Sequence, residues 1–476
     1  MKFALRKIIY VLRNGKAYNE MNNSDFKIKC NKKIISDEEY SILIREKCTK
    51  ISKYLKGIRA HVVIECSSNV ESILWMVACY QMKCSFTIIP KAVPKERRER
   101  IIEDCHPQLI IRDSYIIKTS FLYKAMFDNI VYILYTSGTT GVPKGIPISE
   151  INYLTFLNGI KEKIDFKSSN IFLSSTSLTF DISILETLIA LTNNQRVVVM
   201  EENQKIRPQN YIELIEKEQI NFIQWTPTLL EWIMGYVELE NYNLSSLNTI
   251  LIGGEKVKKD ILDKFSNFVN GKILLCYGPT ECTIWSMIYE YEVKDREIYL
   301  GKPLTKYYIE LERYHNSNYF EVVIKGDGVS PGYISLKSNN FFEKNGVKCF
   351  RTGDLVAKKE ENLVFISRKD RQIKINGFRL ELSDVERIIE THDTIERAFV
   401  IDEVINGRHI LKAFVKRNDV SEVNFKVMIK YLRDYLPLYA IPHNFFVVSE
   451  IPRNVNGKID YYEIKRKFSR EEYRLL

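Results

Sequence analysis

The feature that most constrains the fold is a regular alternation of short apolar runs with longer amphipathic segments, which begins at about residue 60. The first cycle has strand-like Val62–Ile64 and Phe86–Ile89 on either side of helix-like Asn69–Met82, and the pattern recurs between residues 197 and 276. Strands that alternate with helices predict an α/β fold in which helices cover parallel sheets. Ligands of such sheets bind at the carboxyl ends of the strands.

The pattern changes after about residue 295, where strand-like runs lie between Gly and Asn turns and predict a small β-rich subdomain. A charged stretch at 368–371 follows, and helix-like and strand-like segments alternate beyond it. Because 476 residues are too many for one compact core, we predict two domains. They are a large N-terminal domain of residues 1–369 and a small, mobile C-terminal α/β domain of residues 370–476.

Composition and charge narrow the classes of function. Hydrophobic residues make up 45% and charged residues 27% of the chain, which is typical of a globular protein. The net charge of +10 comes from Lys and Arg interleaved with Asp and Glu along the whole chain. That distribution predicts a solvated surface, with neither a nucleic acid nor a membrane as partner. The early apolar run Ile8–Leu12 is too short for a signal peptide or a membrane span.

The cysteines indicate the compartment. There are nine of them, an odd number, and no two stand in a Cys-x-x-Cys spacing. This argues against a zinc ribbon and against a disulfide framework. We therefore predict a reducing, cytoplasmic location.

A glycine-rich loop follows a strand-like run in Ile133–Gly145, which reads ILYTSGTTGVPKG. Small hydroxylated residues and glycines allow backbone N–H groups to approach phosphate oxygens, and a lysine adds positive charge. The spacing differs from a Walker loop, which disfavours a P-loop NTPase. The alternative is a plain surface turn. The predicted phosphate-binding residues are Thr136, Ser137, Gly138, Thr139, Thr140 and Lys144.

Together with this loop, four further motifs resemble the adenylate-forming enzyme superfamily. They are YGPTECT at Tyr277–Thr283, FRTGDLV at Phe350–Val356, SRKDRQIKINGFRLE at Ser367–Glu381 and PRNVNGKID at Pro452–Asp460. The resemblance runs from about residue 35 to the end. It is to acyl-CoA synthetases, luciferases, and the adenylation domains of nonribosomal peptide synthetases with their D-alanine carrier-protein ligase relatives.

The resemblance implies a reaction in two halves. A carboxylate attacks the α-phosphorus of ATP to give an acyl adenylate and pyrophosphate, and a thiol then attacks the acyl carbon and releases AMP. ATP and Mg²⁺ are therefore the expected cofactors. An alternative interpretation of the basic net charge is that it favours ATP and an acidic carrier protein.

The resemblance also assigns roles to residues. Glu281 is expected to hold Mg²⁺, and Lys458 is the expected catalytic residue, placed between the substrate carboxylate and the α-phosphate. Asp370 is expected to be the hinge about which the small domain turns, admitting the thiol along the Gly377 loop. The other expected ATP-binding residues are Gly254, Glu255, Cys276, Tyr277, Gly278, Pro279, Thr280, Asp354 and Arg368. A lone Asp or Arg is usually a surface charge, and Lys458 could be one more lysine of a basic tail.

The segment FDISILE at Phe180–Glu186 indicates the branch of the superfamily. Amino-acid-activating members carry an aspartate here that pairs with the substrate α-ammonium group, and Asp181 matches it. A buried, unpaired carboxylate is costly, so such a site favours a cation. The alternative is that Asp181 caps a helix that begins at Ile182.

Matched positions outline an amino-acid pocket whose residues are similar to the glycine-activating signature of peptide-synthetase domains. Cys276 departs from that signature, in which leucine is usual. Trp285 and Gln224 are bulky and would fill the space of a side chain, although Trp285 could pack in the core instead. The predicted pocket residues are Asp181, Ile182, Leu185, Gln224, Leu251, Gly253, Cys276, Ile284 and Trp285, with Lys458 as the tenth position.

The resemblance leads to a prediction of function with two alternatives. We expect a free-standing adenylation enzyme for a small amino acid, because the chain ends 18 residues after Lys458 with no carrier domain. Its partners would be the amino acid and a discrete phosphopantetheinylated carrier protein. The alternatives are an acyl-CoA synthetase of the same superfamily and a catalytically inactive binding subunit.

Overall fold

The computed structural model describes residues 26–448 apart from positions 32, 56–58, 114, 125–126, 137–142, 316, 376–377, 406–407 and 419–423. Several predicted site residues lie outside the described residues: Ser137, Gly138, Thr139, Thr140, Gly377 and Lys458. Among the described helices, none combines the length and the apolar character that crossing a membrane requires.

The first part of the described chain builds a six-stranded sheet. The elements of this part of the chain are β1 (Ile28–Cys30), β2 (Lys33–Ile35), α1 (Asp37–Leu55), β3 (His61–Ile64), α2 (Asn69–Gln81), β4 (Ser85–Ile88), α3 (Lys95–Cys105), β5 (Leu109–Arg112), β6 (Tyr115–Lys118), β7 (Ile130–Thr136), β8 (Lys144–Ser149) and α4 (Glu150–Lys161). Strands β1 and β2 belong to the nine-stranded sheet described next. The strand order is β6-β5-β3-β4-β7-β8. The inner pairs are parallel, and β6 and β8 pair antiparallel at the edges.

The next part forms most of a nine-stranded sheet. Its elements are β9 (Ile171–Ser174), a π-helix (Leu185–Ile189), α5 (Ala190–Thr192), β10 (Arg196–Val199), α6 (Pro208–Glu218), β11 (Phe222–Trp225), α7 (Pro227–Tyr236), β12 (Thr249–Gly253), α8 (Lys259–Ser266), β13 (Lys272–Tyr277), β14 (Met287–Glu290) and β15 (Lys302–Pro303). The order is β15-β14-β13-β12-β11-β9-β10-β1-β2. The centre is parallel, and β15, β14 and β2 are antiparallel additions at the two edges.

The remaining elements form a β-rich subdomain and a small α/β unit. The subdomain contains β16 (Tyr307–Arg313), β17 (Phe320–Gly326), β18 (Phe341–Lys344), β19 (Val347–Lys359) and β20 (Asn362–Arg368), all in antiparallel pairs. The last unit contains a two-stranded hairpin, β21 (Gln372–Ile375) and β22 (Phe378–Glu381), then α9 (Leu382–Glu390), β23 (Ile395–Ile405), β24 (Arg408–Arg417), α10 (Phe425–Tyr435) and β25 (Asn444–Val447).

The two large sheets share one hydrophobic core. Ile64 of the six-stranded sheet and Phe172 of the nine-stranded sheet belong to the same buried cluster, together with Trp75 of α2. A separate cluster, which includes Val385 and Leu432, forms the core of the last unit. Residues at the carboxyl ends of both large sheets are therefore held on one rigid body.

The predicted fold class is confirmed: an α/β fold with a large N-terminal domain of mixed parallel sheets and helices, and a small C-terminal domain. A strand at Phe222–Trp225 lies within the region 197–276, where the alternating pattern recurs. The helix that precedes this strand begins at Pro208, because proline suits the first helical position, where its missing N–H is not needed. The domain boundary at 369/370 stays a prediction.

Candidate active site

A cleft of about 1600 Å³ lies where the carboxyl ends of several strands meet the small C-terminal unit. Its walls include the ends of β4, β7, β12 and β13 on one side and the β21–β22 hairpin on the other. This is the edge at which the sequence pattern predicts a ligand.

Residues of three separate motifs meet at one side of this cleft. The Asp354 carboxylate accepts from Arg368 Nη1 at 2.5 Å and from the Tyr277 hydroxyl at 2.7 Å. Arg368 also donates to both oxygens of Asp370, at 2.7 and 2.8 Å, and to the Thr352 carbonyl. The bond to Asp354 fixes the orientation of the Tyr277 ring. The structure thus brings together Tyr277, Asp354 and Arg368, which are all predicted to bind ATP, and it ties the predicted hinge residue to them.

A second group surrounds Glu281, whose side chain is fully buried. Both of its oxygens accept from Arg379 Nη1, at 2.7 and 2.8 Å, and one accepts from the Tyr333 hydroxyl at 2.6 Å. The Lys144 ammonium lies 5.5 Å from the Tyr333 ring centroid. Burial raises the pKa of Glu281, but the Arg379 charge and the Tyr333 bond outweigh burial and lower it, so the carboxylate is ionised.

Glu281 fits the role predicted for it toward Mg²⁺. A buried, ionised carboxylate that already faces a guanidinium is suited to face a cation, and Mg²⁺ is commonly held by one or two carboxylates together with substrate phosphates. The bound ion would neutralise phosphate charge. In the arrangement observed here, Arg379 engages both Glu281 oxygens, so the guanidinium and a metal ion compete for the same ligand atoms.

The sequence reasoning missed Arg379, Tyr333 and Lys374. Within residues 367–381 it assigned roles only to Arg368, Asp370 and the Gly377 loop. Lys374 and Arg379 are cross-strand partners in the hairpin and therefore lie on one face of it. Burial lowers the pKa of Lys374, and the Asp354 and Asp181 carboxylates oppose that shift. The alternation of side chains along β21 and β22 was the signal that could have placed both cations on one face.

Asp181 lies in the turn that leads into the helical segment beginning at Ser183. Its Oδ1 accepts from the backbone N–H of the next residue, Ile182, at 2.8 Å. Burial raises the pKa of Asp181, opposed by a hydrogen bond from Thr280 and by the charge of Lys374. Asp181 lines the cleft. Its bond to the N–H of the next residue is not the bond of a helix cap, which accepts from the second or third helical N–H, so the structure does not support the helix-cap alternative.

The predicted pocket residues form two layers. Asp181, Ile182, Gly253, Cys276 and Trp285 line the cleft. The other predicted positions are buried behind them: Leu185, Gln224, Leu251 and Ile284.

Trp285 both lines the cleft and packs into the core. It is 2% exposed, and its indole Nε1 donates to Gln224 Oε1 at 2.8 Å. A Cβ at Gly253 would lie 2.9 Å from the Trp285 ring and 2.3 Å from the Cys276 carbonyl oxygen, so the close approach requires glycine. Trp285 is therefore a part of the cleft wall that its hydrogen bond to Gln224 and its close contact with Gly253 hold in place.

The structure describes the two ends of the glycine-rich loop, Thr136 and Lys144, which together form its base. Thr136 ends β7 and lines the cleft, and it is the register partner of Lys144 at the start of β8. Gly254, Glu255, Gly278, Pro279 and Thr280 also line the cleft, as predicted for ATP contacts. Glu255 accepts from the backbone N–H of Thr228 at 3.1 Å and from its hydroxyl at 2.5 Å, so its carboxylate is held by the start of α7.

The fold and the cleft define a two-domain α/β protein with a charged, nucleotide-sized site between a rigid sheet domain and a smaller unit. The chain belongs to the AMP-binding enzyme family, which it matches over residues 122–334, and residues 384–458 match the C-terminal domain of the same enzymes. The two matches cover more than half of the chain. Its relatives place it in the branch of nonribosomal peptide synthetase adenylation domains and D-alanine carrier-protein ligases, whose adenylating enzymes use ATP with Mg²⁺.

The chain is similar to relatives of different lengths. It is 26% identical to zwittermicin A synthase ZmaJ of Bacillus cereus, with 88% of each chain covered. It is also 26% identical to the D-alanine–D-alanyl carrier protein ligase of Staphylococcus epidermidis, over 88% of this chain and 92% of that one. The match spans only 19% of the dimodular nonribosomal peptide synthase of Bacillus subtilis.

A solved structure shows the same fold. The adenylation domain AlmE of Vibrio cholerae, in complex with glycyl-adenosine-5'-phosphate, superposes with a TM-score of 0.81 at 19% identity and covers 94% of this chain and 95% of its own.

Proposed function

We propose that this chain activates a small amino acid, with glycine preferred, as an aminoacyl adenylate with release of pyrophosphate. It then transfers the aminoacyl group to the phosphopantetheine thiol of a separate carrier protein. The observation that carries the proposal is the buried Asp181 carboxylate, which lines the same cleft as the Trp285 indole. A buried carboxylate favours a substrate with a positive charge, such as an α-ammonium group. The names of the ligase and AlmE relatives support the same chemistry.

The remaining machinery follows from the family. Asp354 and Arg368 serve the ribose, Glu281 serves Mg²⁺, and the base of the loop at Thr136 and Lys144 serves the phosphates. Lys458 is proposed as the catalytic cation that offsets repulsion between the substrate carboxylate and the α-phosphate.

Amino-acid-dependent pyrophosphate exchange tests the proposal and separates it from its alternatives. The assay is run across the amino acids and a few fatty acids. Exchange that depends on a small amino acid supports the proposal, and exchange only with fatty acids would make the chain an acyl-CoA synthetase. No exchange with any acid, from folded protein, would leave an inactive binding subunit.

Trp285→Ala tests the preference for glycine. An extra methyl group in a filled pocket costs about 1–3 kcal/mol, so the wild-type enzyme is expected to reject alanine by roughly 10- to 100-fold. The variant should raise exchange with alanine and gain little with glycine, because a small ligand in an enlarged site gains no contacts. The measurement is kcat/KM for each amino acid. Wild-type exchange that is highest with a large or charged amino acid would overturn the glycine assignment and leave amino-acid adenylation intact.

A further inference from the structure

A second buried carboxylate, Glu186, lies behind the amino-acid pocket and outside the cleft lining. Its Oε2 accepts from the backbone N–H groups of Ser175 and Thr176, both at 3.0 Å. Its Oε1 accepts from the Thr176 hydroxyl at 2.6 Å and from Gln224 Nε2 at 3.2 Å. All four partners donate, which is the pattern of a fully satisfied carboxylate.

The backbone places Glu186 there through an unusual helix. Residues Leu185–Ile189 form a π-helix, directly after the turn that holds Asp181. Single π-turns of this kind are frequent at functional sites, because the wider turn changes the direction of side chains. Glu186 thus belongs to the same segment as the predicted ammonium-binding residue but points to the loop after β9.

The Gln224 amide connects Glu186 to Trp285 with a defined polarity. Gln224 Nε2 donates to Glu186 Oε1 and to the Ile182 carbonyl, the latter at 2.8 Å. Gln224 Oε1 then accepts from Trp285 Nε1 at 2.8 Å. The Gln224 amide thus faces two acceptors on its nitrogen side and the indole N–H, which can only donate, on its oxygen side. A single orientation of this amide satisfies every one of these groups.

The backbone that leads into Trp285 is under strain. The two residues before it, Thr283 and Ile284, have φ values of 62° and 67°, and a β-branched residue at positive φ is a genuine outlier. The Thr283 hydroxyl is bonded to the Gly328 carbonyl at 2.8 Å, which helps hold this loop. The hydrogen bond from the indole to Gln224 therefore helps to hold Trp285 after a strained turn.

We infer that Glu186 is a positioning residue for the amino-acid pocket, which acts through the Gln224 amide to hold the Trp285 indole at the side-chain end. This inference rests on the proposed function. Because Glu186 lies outside the cleft lining, it acts only by fixing which atom of the Gln224 amide donates and which accepts.

Glu186→Gln reverses that polarity with little change of shape. The new amide oxygen must face the two backbone N–H groups, which cannot turn away, so the new NH₂ group faces the NH₂ group of Gln224. If the Gln224 amide turns over to accept, its NH₂ group faces the Trp285 N–H instead. Either way one pair of donors is in conflict, and the conflict is relieved by displacement of the indole.

The experiment is a double-mutant cycle on selectivity, defined as kcat/KM for glycine over alanine in pyrophosphate exchange. It is run at pH 8, where the Glu186 carboxyl is ionised and accepts from all four donors. We expect Glu186→Gln to reduce the selectivity by about tenfold, within the range that a methylene-sized pocket can provide. In a Trp285→Phe background, which has no indole N–H, the same change should alter selectivity by less than about twofold. Glu218→Gln is the matched control at another buried carboxylate, which is paired with Lys29 away from the cleft, and it should keep wild-type selectivity.

Gln224→Leu provides a second arm that does not require Glu186→Gln to fold. This variant removes the hydrogen bonds of Gln224 to both Glu186 and Trp285. It leaves the bonds of Glu186 to Ser175 and Thr176 in place. It should give the same loss of selectivity. The inference is overturned if either variant lowers kcat/KM equally for both amino acids, or if Glu186→Gln has the same effect in both backgrounds. Wild-type protein without amino-acid-dependent exchange would refute the proposed function itself.

Discussion

Asp181 and Glu186 belong to one short segment, yet their buried carboxylates face different surroundings. Asp181 meets the cleft and the cations of the hairpin, whereas four donors enclose Glu186. Burial raises the pKa of both carboxyl groups, and that of Glu186 reaches about 7. Two acids of the same segment are thus suited to different tasks, one to contact a cationic substrate and the other to orient a neighbour.

Asp181→Ala is expected to abolish amino-acid activation without loss of stability. Breaking a buried charge pair on one side costs on the order of 3–5 kcal/mol, which corresponds to about 10²–10⁴-fold in kcat/KM. The folded protein loses a desolvated carboxylate, so its thermal unfolding temperature should be unchanged or higher. The control is Asp260→Ala, at an exposed carboxylate in α8. Normal activation by Asp181→Ala would show that the ammonium group binds elsewhere.

Glu186 makes stability depend on pH in a predictable direction. Its ordinary pKa is 4.5 and its folded value is about 7, so between these values the native state keeps a proton that the unfolded state loses. Stability from this group therefore falls as pH rises through that window, by on the order of 3 kcal/mol. Denaturant unfolding of the wild type and Glu186→Gln at pH 5 and pH 8 measures it. The free-energy difference between the two proteins should change with pH, and parallel profiles would contradict the assignment.

At the scale of elements, the β21–β22 hairpin decides the electrostatics of the cleft. Lys374 and Arg379 face the same way and bring two cations toward Asp181, Asp354 and Glu281. These are the carboxylates proposed to serve the substrate ammonium, the ribose and Mg²⁺. Under these proposed roles, the hairpin would compete with ligands of the first half-reaction.

Arg379→Ala is expected to favour adenylation over transfer. Removal of the guanidinium takes away the Nη1 donor that bonds both oxygens of the buried Glu281 carboxylate. The arrangement observed here is then less stable relative to arrangements in which the hairpin is withdrawn from Glu281. The Mg²⁺ concentration that half-saturates pyrophosphate exchange should fall by about threefold or more, because a larger fraction of the protein can bind the ion. Carrier loading should slow. The control is Arg397→Ala, which removes a half-exposed guanidinium of the same domain and should leave the Mg²⁺ requirement and the rate of carrier loading unchanged. An unaltered Mg²⁺ requirement in Arg379→Ala would refute competition between Arg379 and Mg²⁺ for Glu281.

At the scale of the whole molecule, the small domain carries both the hairpin and, by prediction, the catalytic lysine. Asp370 is the first residue of the predicted small domain; both of its oxygens accept from Arg368, and one accepts from the Gln372 backbone N–H at 3.3 Å. A hinge needs only a few residues that change φ and ψ. We therefore expect the two half-reactions to respond differently to changes at Lys458 and at Asp370.

Lys458→Ala and Asp370→Pro should separate the half-reactions. Loss of one preorganised charge contact typically costs roughly 10²–10³ in rate, so Lys458→Ala should collapse pyrophosphate exchange. Asp370→Pro, which restricts φ, should impair carrier loading more than exchange. Asp370→Asn controls for loss of the charge alone. Exchange by Lys458→Ala within a few-fold of wild type, or equal loss of both half-reactions in Asp370→Pro, would contradict these roles.

The sequence by itself determined the fold class and the family, and it predicted roles for individual residues. Alternation located strands such as Phe222–Trp225, and short motifs carried Asp181, Glu281 and Asp354, because periodicity and local residue types are properties of neighbours along the chain. Only the tertiary structure decided which side chains meet. Glu281 and Arg379 are 98 positions apart, and Gln224 and Trp285 are 61 apart. Such pairs depend on how whole elements pack, and no local pattern specifies that packing.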